Sequence, residues 1–197
     1  MYIEKSVKDG NSGKTVVTFV PLLRCILPRM FIMGASTICH INREPCFWPA
    51  CMPEMTFIPG ATTIILLNYL KSMKMPTCRT KSLFVIGIND ILQGIPSKDI
   101  IYNLRNIVDH MRTLHTNSVV MLSYIAYCPE IVRDAYKFQQ LRKVNAYIRH
   151  YHISNNHHTL RLDKLQKRGY FKSDGVHFTP AAKCLIAKDL SNILNNM

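Results

Sequence analysis

The chain has 197 residues, of which 48% are hydrophobic and 19% charged, which fits a single globular domain and excludes a disordered polypeptide. Its 25 lysines and arginines outnumber its 12 aspartates and glutamates, and the net charge of +13 is typical of a protein with an anionic partner, substrate or surface, or of one with a solvated, soluble exterior. The longest apolar run, Val16 to Leu27, is interrupted by Pro21 and Arg24, so we expect neither a signal peptide nor a membrane span and an intracellular, cytoplasmic location.

The first 28 residues are predicted to form an N-terminal arm, and residues 29–197 the main domain. The polar, glycine-containing first half of the arm is typical of a loose segment, whereas Val16–Val20 predicts an added strand. The Gly13-Lys14-Thr15 sequence resembles the end of a phosphate-binding P-loop. Lys8 stands where that motif requires its first glycine, so the pattern does not predict a nucleotide site.

From residue 29 onward, short apolar runs alternate with segments of helical period, which is typical of a parallel sheet covered by helices. The predicted strands are Met30–Met33, Met55–Ile58, Ser82–Ile88, Val119–Ala126 and Thr159–Leu162. The predicted helices are Ala61–Met73, Ser97–His115, Lys137–Tyr151 and one that begins at Pro180. This order predicts a three-layer α/β/α fold of flavodoxin-like type around a central, mainly parallel sheet of five strands.

Polar residues follow the ends of these strands. Ser36 comes shortly after the first strand, Gly60 ends the second, and Asn89 follows the third, while Asp174 and His177 precede the last helix. Ligands of such folds bind where the carboxyl ends of the strands meet. Each residue alone also fits a helix cap, a turn or a surface position. Their joint placement favours one shared site.

These residue types fit nucleophilic catalysis on an ester. A serine hydroxyl is a weak nucleophile and needs a neighbouring base, which a neutral His177 supplies. Asp174 lies three residues before it and can hold the imidazole in the required tautomer.

The same segments resemble the sequence blocks of the SGNH, or GDSL-like, hydrolases, in the order of that family and over residues 29–195. The matching blocks are Gly34-Ala35-Ser36, Pro59-Gly60-Ala61, Gly87-Ile88-Asn89-Asp90 and Asp174-Gly175-Val176-His177-Phe178. The sequence departs from the family at Ala35, where an aspartate is usual. A Gly-x-Ser block without that acid, followed by Phe-x-Pro-Gly-Ala, is similar to the esterase domain in first-open-reading-frame proteins of some non-LTR retrotransposons.

The resemblance implies a serine esterase that acts on short-chain, acetyl or lipid esters through an acyl-enzyme. Ser36 would be the nucleophile, with Asp174 and His177 as its base system. The oxyanion would be held by the backbone N–H groups of Ser36 and Gly60 and by the side-chain amide of Asn89. No cofactor and no metal ion is expected, and Asp90 is interpreted as a structural residue.

The alternative is a catalytically weak or inactive module of the same fold. It would bind nucleic acid or an anionic membrane through residues 131–197, where twelve basic and four acidic residues give a net charge of +8. The sequence predicts no oligomeric state.

The cysteines are predicted to be free thiols without a catalytic role. Their number is odd and their spacing matches no zinc motif, which favours a reducing compartment. They are Cys25, Cys39, Cys46, Cys51, Cys78, Cys128 and Cys184.

Overall fold

A computed structural model describes residues 2–10, 12–21, 29–49, 52–73, 80–114 and 118–196. Within these ranges six strands form one sheet in the spatial order β1-β2-β4-β3-β5-β6. The strands are β1 (Tyr2–Lys8), β2 (Thr15–Pro21), β3 (Arg29–Gly34), β4 (Glu54–Phe57), β5 (Thr80–Val85) and β6 (Val119–Leu122). Strands β3 to β6 run parallel, whereas β1 and β2 form an antiparallel hairpin on the edge of β4. The predicted mainly parallel sheet is confirmed, with six strands instead of five.

Helices cover both faces of this sheet, which confirms the three-layer α/β/α fold. They are α1 (Thr63–Ser72), α2 (Ile88–Leu92), α3 (Ser97–Leu114), α4 (Pro129–Val132), α5 (Ala135–Asn155) and α6 (Pro180–Asn195). On one face α3 packs between α1 and α5. On the other face α6 packs against the 3₁₀ turn Ile41–Arg43. None of the helices in the described ranges has both the length and the apolar character that crossing a bilayer requires.

The interpretation of the first residues as a loose segment is wrong. All seven residues of β1 pair with β2, and backbone hydrogen bonds of Asp9 with Gly13 and Lys14 close the turn between them. Asp9 stabilises this turn, because its carboxylate accepts hydrogen bonds from the backbone N–H and the hydroxyl of Ser12. The predicted strand at 16–20 lies within β2, which buries Val16 and Phe19. The boundary between an arm and a main domain at residue 28 stays a prediction.

The predicted strand Thr159–Leu162 is also wrong. Leu160 accepts one backbone hydrogen bond from Tyr124, beyond the end of β6, and a 3₁₀ turn begins at Leu162. The hydroxyl of Thr159 binds the carbonyl oxygen of Leu122, so a side chain takes the edge acceptor that a ladder would use. The segment therefore makes one backbone hydrogen bond to the chain after β6 and no strand pairing.

Candidate active site

The register of the parallel strands brings the predicted site residues to one edge of the sheet. Gly34 of β3 lies opposite both Phe57 of β4 and Val85 of β5, so the three strands reach the same level where they end. Gly34 has to be a glycine, because a Cβ atom at this position would lie 2.1 Å from the carbonyl oxygen of Val85. The segments carrying Ser36, Gly60 and Asn89 therefore leave the sheet together.

Ser36 opens a 3₁₀ turn directly after β3. The turn Ser36–Ile38 is closed by a hydrogen bond from the Cys39 N–H to the Ser36 carbonyl oxygen. Ala35 is 1% exposed, and its N–H donates to the Val85 carbonyl oxygen at 3.1 Å. The backbone thus shapes this turn without a carboxylate at position 35.

The loop of residues 172–177 holds Asp174 and His177. A bridge between Phe171 and Phe178 closes the loop at its base, and the Lys172 N–H donates to the His177 carbonyl oxygen at 2.7 Å. Inside the loop, Oδ1 of Asp174 accepts the backbone N–H groups of Val176 and His177, each at 2.9 Å. These two bonds fix the carboxylate beside the imidazole.

The three side chains form a chain of hydrogen bonds. Oδ2 of Asp174 lies 2.7 Å from Nδ1 of His177, and Nε2 of the same ring lies 3.5 Å from Oγ of Ser36. An ionised Asp174 requires the proton on Nδ1, so Nε2 presents its lone pair to the serine hydroxyl. The 3.5 Å separation is long for proton transfer, and catalytic hydrogen bonds often shorten only when substrate binds.

Asp174 stays ionised over the whole working range of an enzyme. Hydrogen bonds from the backbone N–H of Val176 and then of His177 lower the pKa of its carboxyl group to about 2. The side chains of Asp174 and His177 are 47% and 46% exposed, so the site opens directly to solvent.

A disulfide fastens the serine segment to the helix that follows the histidine. Cys46 is bonded to Cys184 of α6, and the Lys183 ammonium group donates to the Cys39 carbonyl oxygen at 3.1 Å. The prediction of free thiols is wrong for the bonded pair, because the fold brings together cysteines 138 positions apart. Cys39 and Cys128 are free, and Cys25, Cys51 and Cys78 lie outside the described residues. The predicted reducing compartment loses part of its support.

The segment that carries Gly60 is a turn after β4. Gly60 has φ of +65°, a conformation that glycine adopts without strain. Asn89 stands in the first turn of α2, and its Nδ2 donates to the Ala61 carbonyl oxygen at 2.8 Å. A primary amide has two N–H donors, so the second remains for another acceptor.

Lys14 is a neighbour of this turn that the sequence did not indicate. Its Nζ lies 3.3 Å from the Pro59 carbonyl oxygen and 3.2 Å from that of Gly60. The hairpin β1–β2 thus braces the turn from outside with an ammonium group. Only the pairing of β2 with β4 places Lys14 there, so no local pattern could have predicted the contact.

Asp90 supports the same turn from inside and takes no part in the hydrogen-bonded chain of Ser36. It is fully buried, and its carboxylate accepts the backbone N–H of Thr63 at 2.9 and 3.0 Å and the Thr63 hydroxyl at 2.6 Å. Burial raises the pKa of its carboxyl group. The sequence interpretation of Asp90 as a structural residue agrees with these contacts.

Comparison with solved structures identifies the fold. A GDSL-like lipase from Bacteroides thetaiotaomicron superimposes with a TM-score of 0.66 at 19% identity, covering 86% of this chain and 89% of that one. A carbohydrate esterase family 3 protein from Talaromyces cellulolyticus gives 0.64 at 15%, covering 85% and 96%. The OSK domain of Drosophila Oskar gives 0.63 at 16%, covering 83% and 86%. No family model and no curated sequence matches the chain.

The chain therefore has the fold of the SGNH, or GDSL-like, hydrolases. At these identities the comparisons show the fold. A fold does not by itself determine the reaction that a protein catalyses.

Proposed function

We propose that this protein is a serine esterase that hydrolyses carboxylic esters through an acyl-enzyme on Ser36. The observation that carries the proposal is the chain of hydrogen bonds from Ser36 Oγ to His177 Nε2 and from His177 Nδ1 to Asp174. A serine that only capped a turn would need no base, and a surface histidine would need no oriented carboxylate.

The reaction proceeds in two balanced steps. Ser36 Oγ attacks the ester carbonyl carbon and passes its proton to His177 Nε2, and the bond to the alcohol breaks as His177 returns that proton to the departing alkoxide. Water then attacks the acyl-enzyme, His177 takes its proton, and the proton returns to Ser36 as the carboxylic acid leaves. The backbone N–H groups of Ser36 and Gly60 and the free N–H of Asn89 stabilise the oxyanion in both steps.

The open position of the site bears on the substrate. His177 and Asp174 are each nearly half exposed. Such a site can admit an ester carried on a large alcohol, such as a sugar or a lipid, because nothing has to enclose the leaving group. A panel of aryl esters from acetyl to long acyl chains determines the preferred acyl length.

Fluorophosphonate labelling tests the proposal, because the reagent reacts with a serine hydroxyl activated by a neighbouring base. We expect an adduct on Ser36, located by mass spectrometry, and loss of both labelling and hydrolysis in Ser36→Ala. His177→Ala should come close to the same loss, because members of a triad act as a unit. Asp174→Asn should be damaging but leave more activity.

Matched controls are available on the surface of the same chain. Ser72→Ala removes an exposed hydroxyl that donates to the Tyr69 carbonyl oxygen, and His158→Ala removes an exposed imidazole. Both variants should label and hydrolyse as the wild type does. Asn89→Ala should retain labelling but lose about 10²–10³ in turnover, as the loss of one oxyanion donor does. Folded wild-type protein that takes no label and cleaves no aryl ester would refute the proposal.

A further inference from the structure

An arginine-lined groove lies beyond the carboxyl end of β6, between α5 and the segment that leads into the 3₁₀ turn Leu162–Lys164. Its volume is about 490 Å³. Arg142 and Arg149 come from α5, and Arg161 comes from the facing segment. The remaining lining residues are Tyr124, Tyr127, Asn145, Ala146 and Asp163.

The groove carries an uncompensated positive charge. Asp163 is its only acidic residue and is paired with Arg161, with Nε–Oδ1 and Nη2–Oδ2 separations of 2.8 and 2.7 Å. Arg142 and Arg149 form no ion pair within the part of the chain that the structure describes. Two guanidinium groups that take part in none of these ion pairs thus line one concave surface. Concave walls concentrate the electric field of such charges.

The frame of the groove is fixed by buried contacts. Asn145 is 5% exposed and bonds in both directions with the backbone of Ile125, as acceptor and as donor at 2.9 Å, which holds α5 against the loop after β6. The Arg161 guanidinium lies 4.3 Å from the centre of the Tyr124 ring. The Tyr124 ring is also stacked with the His152 ring. A preformed groove loses little conformational entropy when it binds a ligand.

We propose that this groove binds the phosphate backbone of single-stranded nucleic acid. The planar fork of arginine matches two phosphate oxygens at once, and Arg142 and Arg149 stand seven residues apart on α5, about 10 Å along its axis. A chain of linked phosphates can follow such a wall. A membrane surface fits less well, because it is approached by a convex basic face with apolar anchors, whereas these arginines line a concavity.

The test measures binding of a fluorescein-labelled twelve-nucleotide oligouridylate by fluorescence anisotropy, at salt concentrations from about 50 to 200 mM. The groove variant is Arg142→Met with Arg149→Met. The control is Lys143→Met with Lys188→Met, two exposed lysines outside the groove, so both proteins lose the same net charge. A further variant, Arg142→Lys with Arg149→Lys, keeps both positive charges and removes the planar guanidinium groups.

The groove variant should bind about tenfold or more weakly at low salt. Its slope of log affinity against log salt should fall by about 1.4, because two phosphates are no longer neutralised. The control should stay within about threefold of the wild type with an unchanged slope. The lysine variant should keep the slope and bind more weakly than the wild type.

Three results would overturn the proposal. The first is an equal loss in the groove and control variants, which would assign binding to overall charge. The second is no binding by wild-type protein at the lowest salt. The third is binding to vesicles of phosphatidylserine and phosphatidylcholine with none to the oligonucleotide. Circular dichroism verifies the fold of each variant. Ser36→Ala should bind as the wild type does, which separates this proposal from the esterase.

Discussion

Asp90→Ala should destabilise the protein by about 2–3 kcal/mol, although Asp90 lies outside the hydrogen-bonded chain of Ser36. The substitution leaves the buried Thr63 N–H without an acceptor, which costs about 1–3 kcal/mol. The Thr63 hydroxyl also loses its acceptor but still accepts from Asn103 at 3.1 Å, so its penalty lies at the lower end of that range. Burial raises the pKa of Asp90, so removing its costly carboxylate recovers part of the loss.

Urea and thermal unfolding measure this effect, and Asp99→Ala is the matched control. Asp99 also lies in the first turn of a helix, α3, but it is exposed, so its removal should cost about 0.3–1 kcal/mol. For a chain of this size, Asp90→Ala should lower the melting temperature by about 4–12 °C. Turnover should fall as well, because Asn89 precedes the substituted residue. An equal loss of stability in the two variants would refute the assignment of Asp90 as the buried support of Thr63 at the start of α1.

Three further outcomes are expected. Lys14→Met should lower kcat about tenfold with KM unchanged, and Lys14→Arg should restore most of the lost kcat. Lys8→Met, which replaces an exposed lysine, should change neither kcat nor KM. A rise in KM alone for Lys14→Met would contradict the role of Lys14 in holding the turn. Cys46→Ser should lower the free energy of unfolding by about 2–4 kcal/mol, and reductant should lower that of the wild type by the same amount. A wild-type protein whose stability does not change with reductant would argue against the disulfide. Burial lowers the pKa of the His152 imidazole in the folded protein. Below about pH 6.5 the unfolded chain therefore binds more protons than the folded chain, and the free energy of unfolding should fall as the pH falls. His152→Gln should reduce that fall, and identical pH profiles of the wild type and the variant would contradict this role of His152.

The parallel part of the fold could be predicted because its signals are local. Strands β3 to β6 are short apolar runs bounded by turn residues, and α3 has an apolar stripe, so neighbours in sequence carry the information. The position of Ser36 and Asn89 at one edge follows from the parallel arrangement, because every such strand ends on the same side. Local pattern and topology together therefore predicted the layout of the site.

The features that could not be predicted depend on distant pairings. Strand β1 is largely exposed, so its sequence has no buried face to indicate a strand, and β2 alone supplies its partner. The Cys46–Cys184 bond needs α6 to pack beside the serine segment, which no spacing rule encodes. The prediction of a strand at Thr159–Leu162 failed for a local reason, because the Thr159 hydroxyl binds the Leu122 carbonyl oxygen at the end of β6, where a strand would pair.

The segments around Ser36 are held by several contacts, although Ala35 stands where the hydrolases that the sequence resembles usually have an aspartate. The turn that carries Ser36 is held by the backbone hydrogen bond from the Ala35 N–H to the Val85 carbonyl oxygen, which needs no particular side chain at position 35. On one side the disulfide and Lys183 tie the serine segment to α6, just after His177. On the other side Asn89 and Asp90 bind the turn that carries Gly60. Several independent contacts thus determine the geometry of the same loops without a carboxylate at position 35.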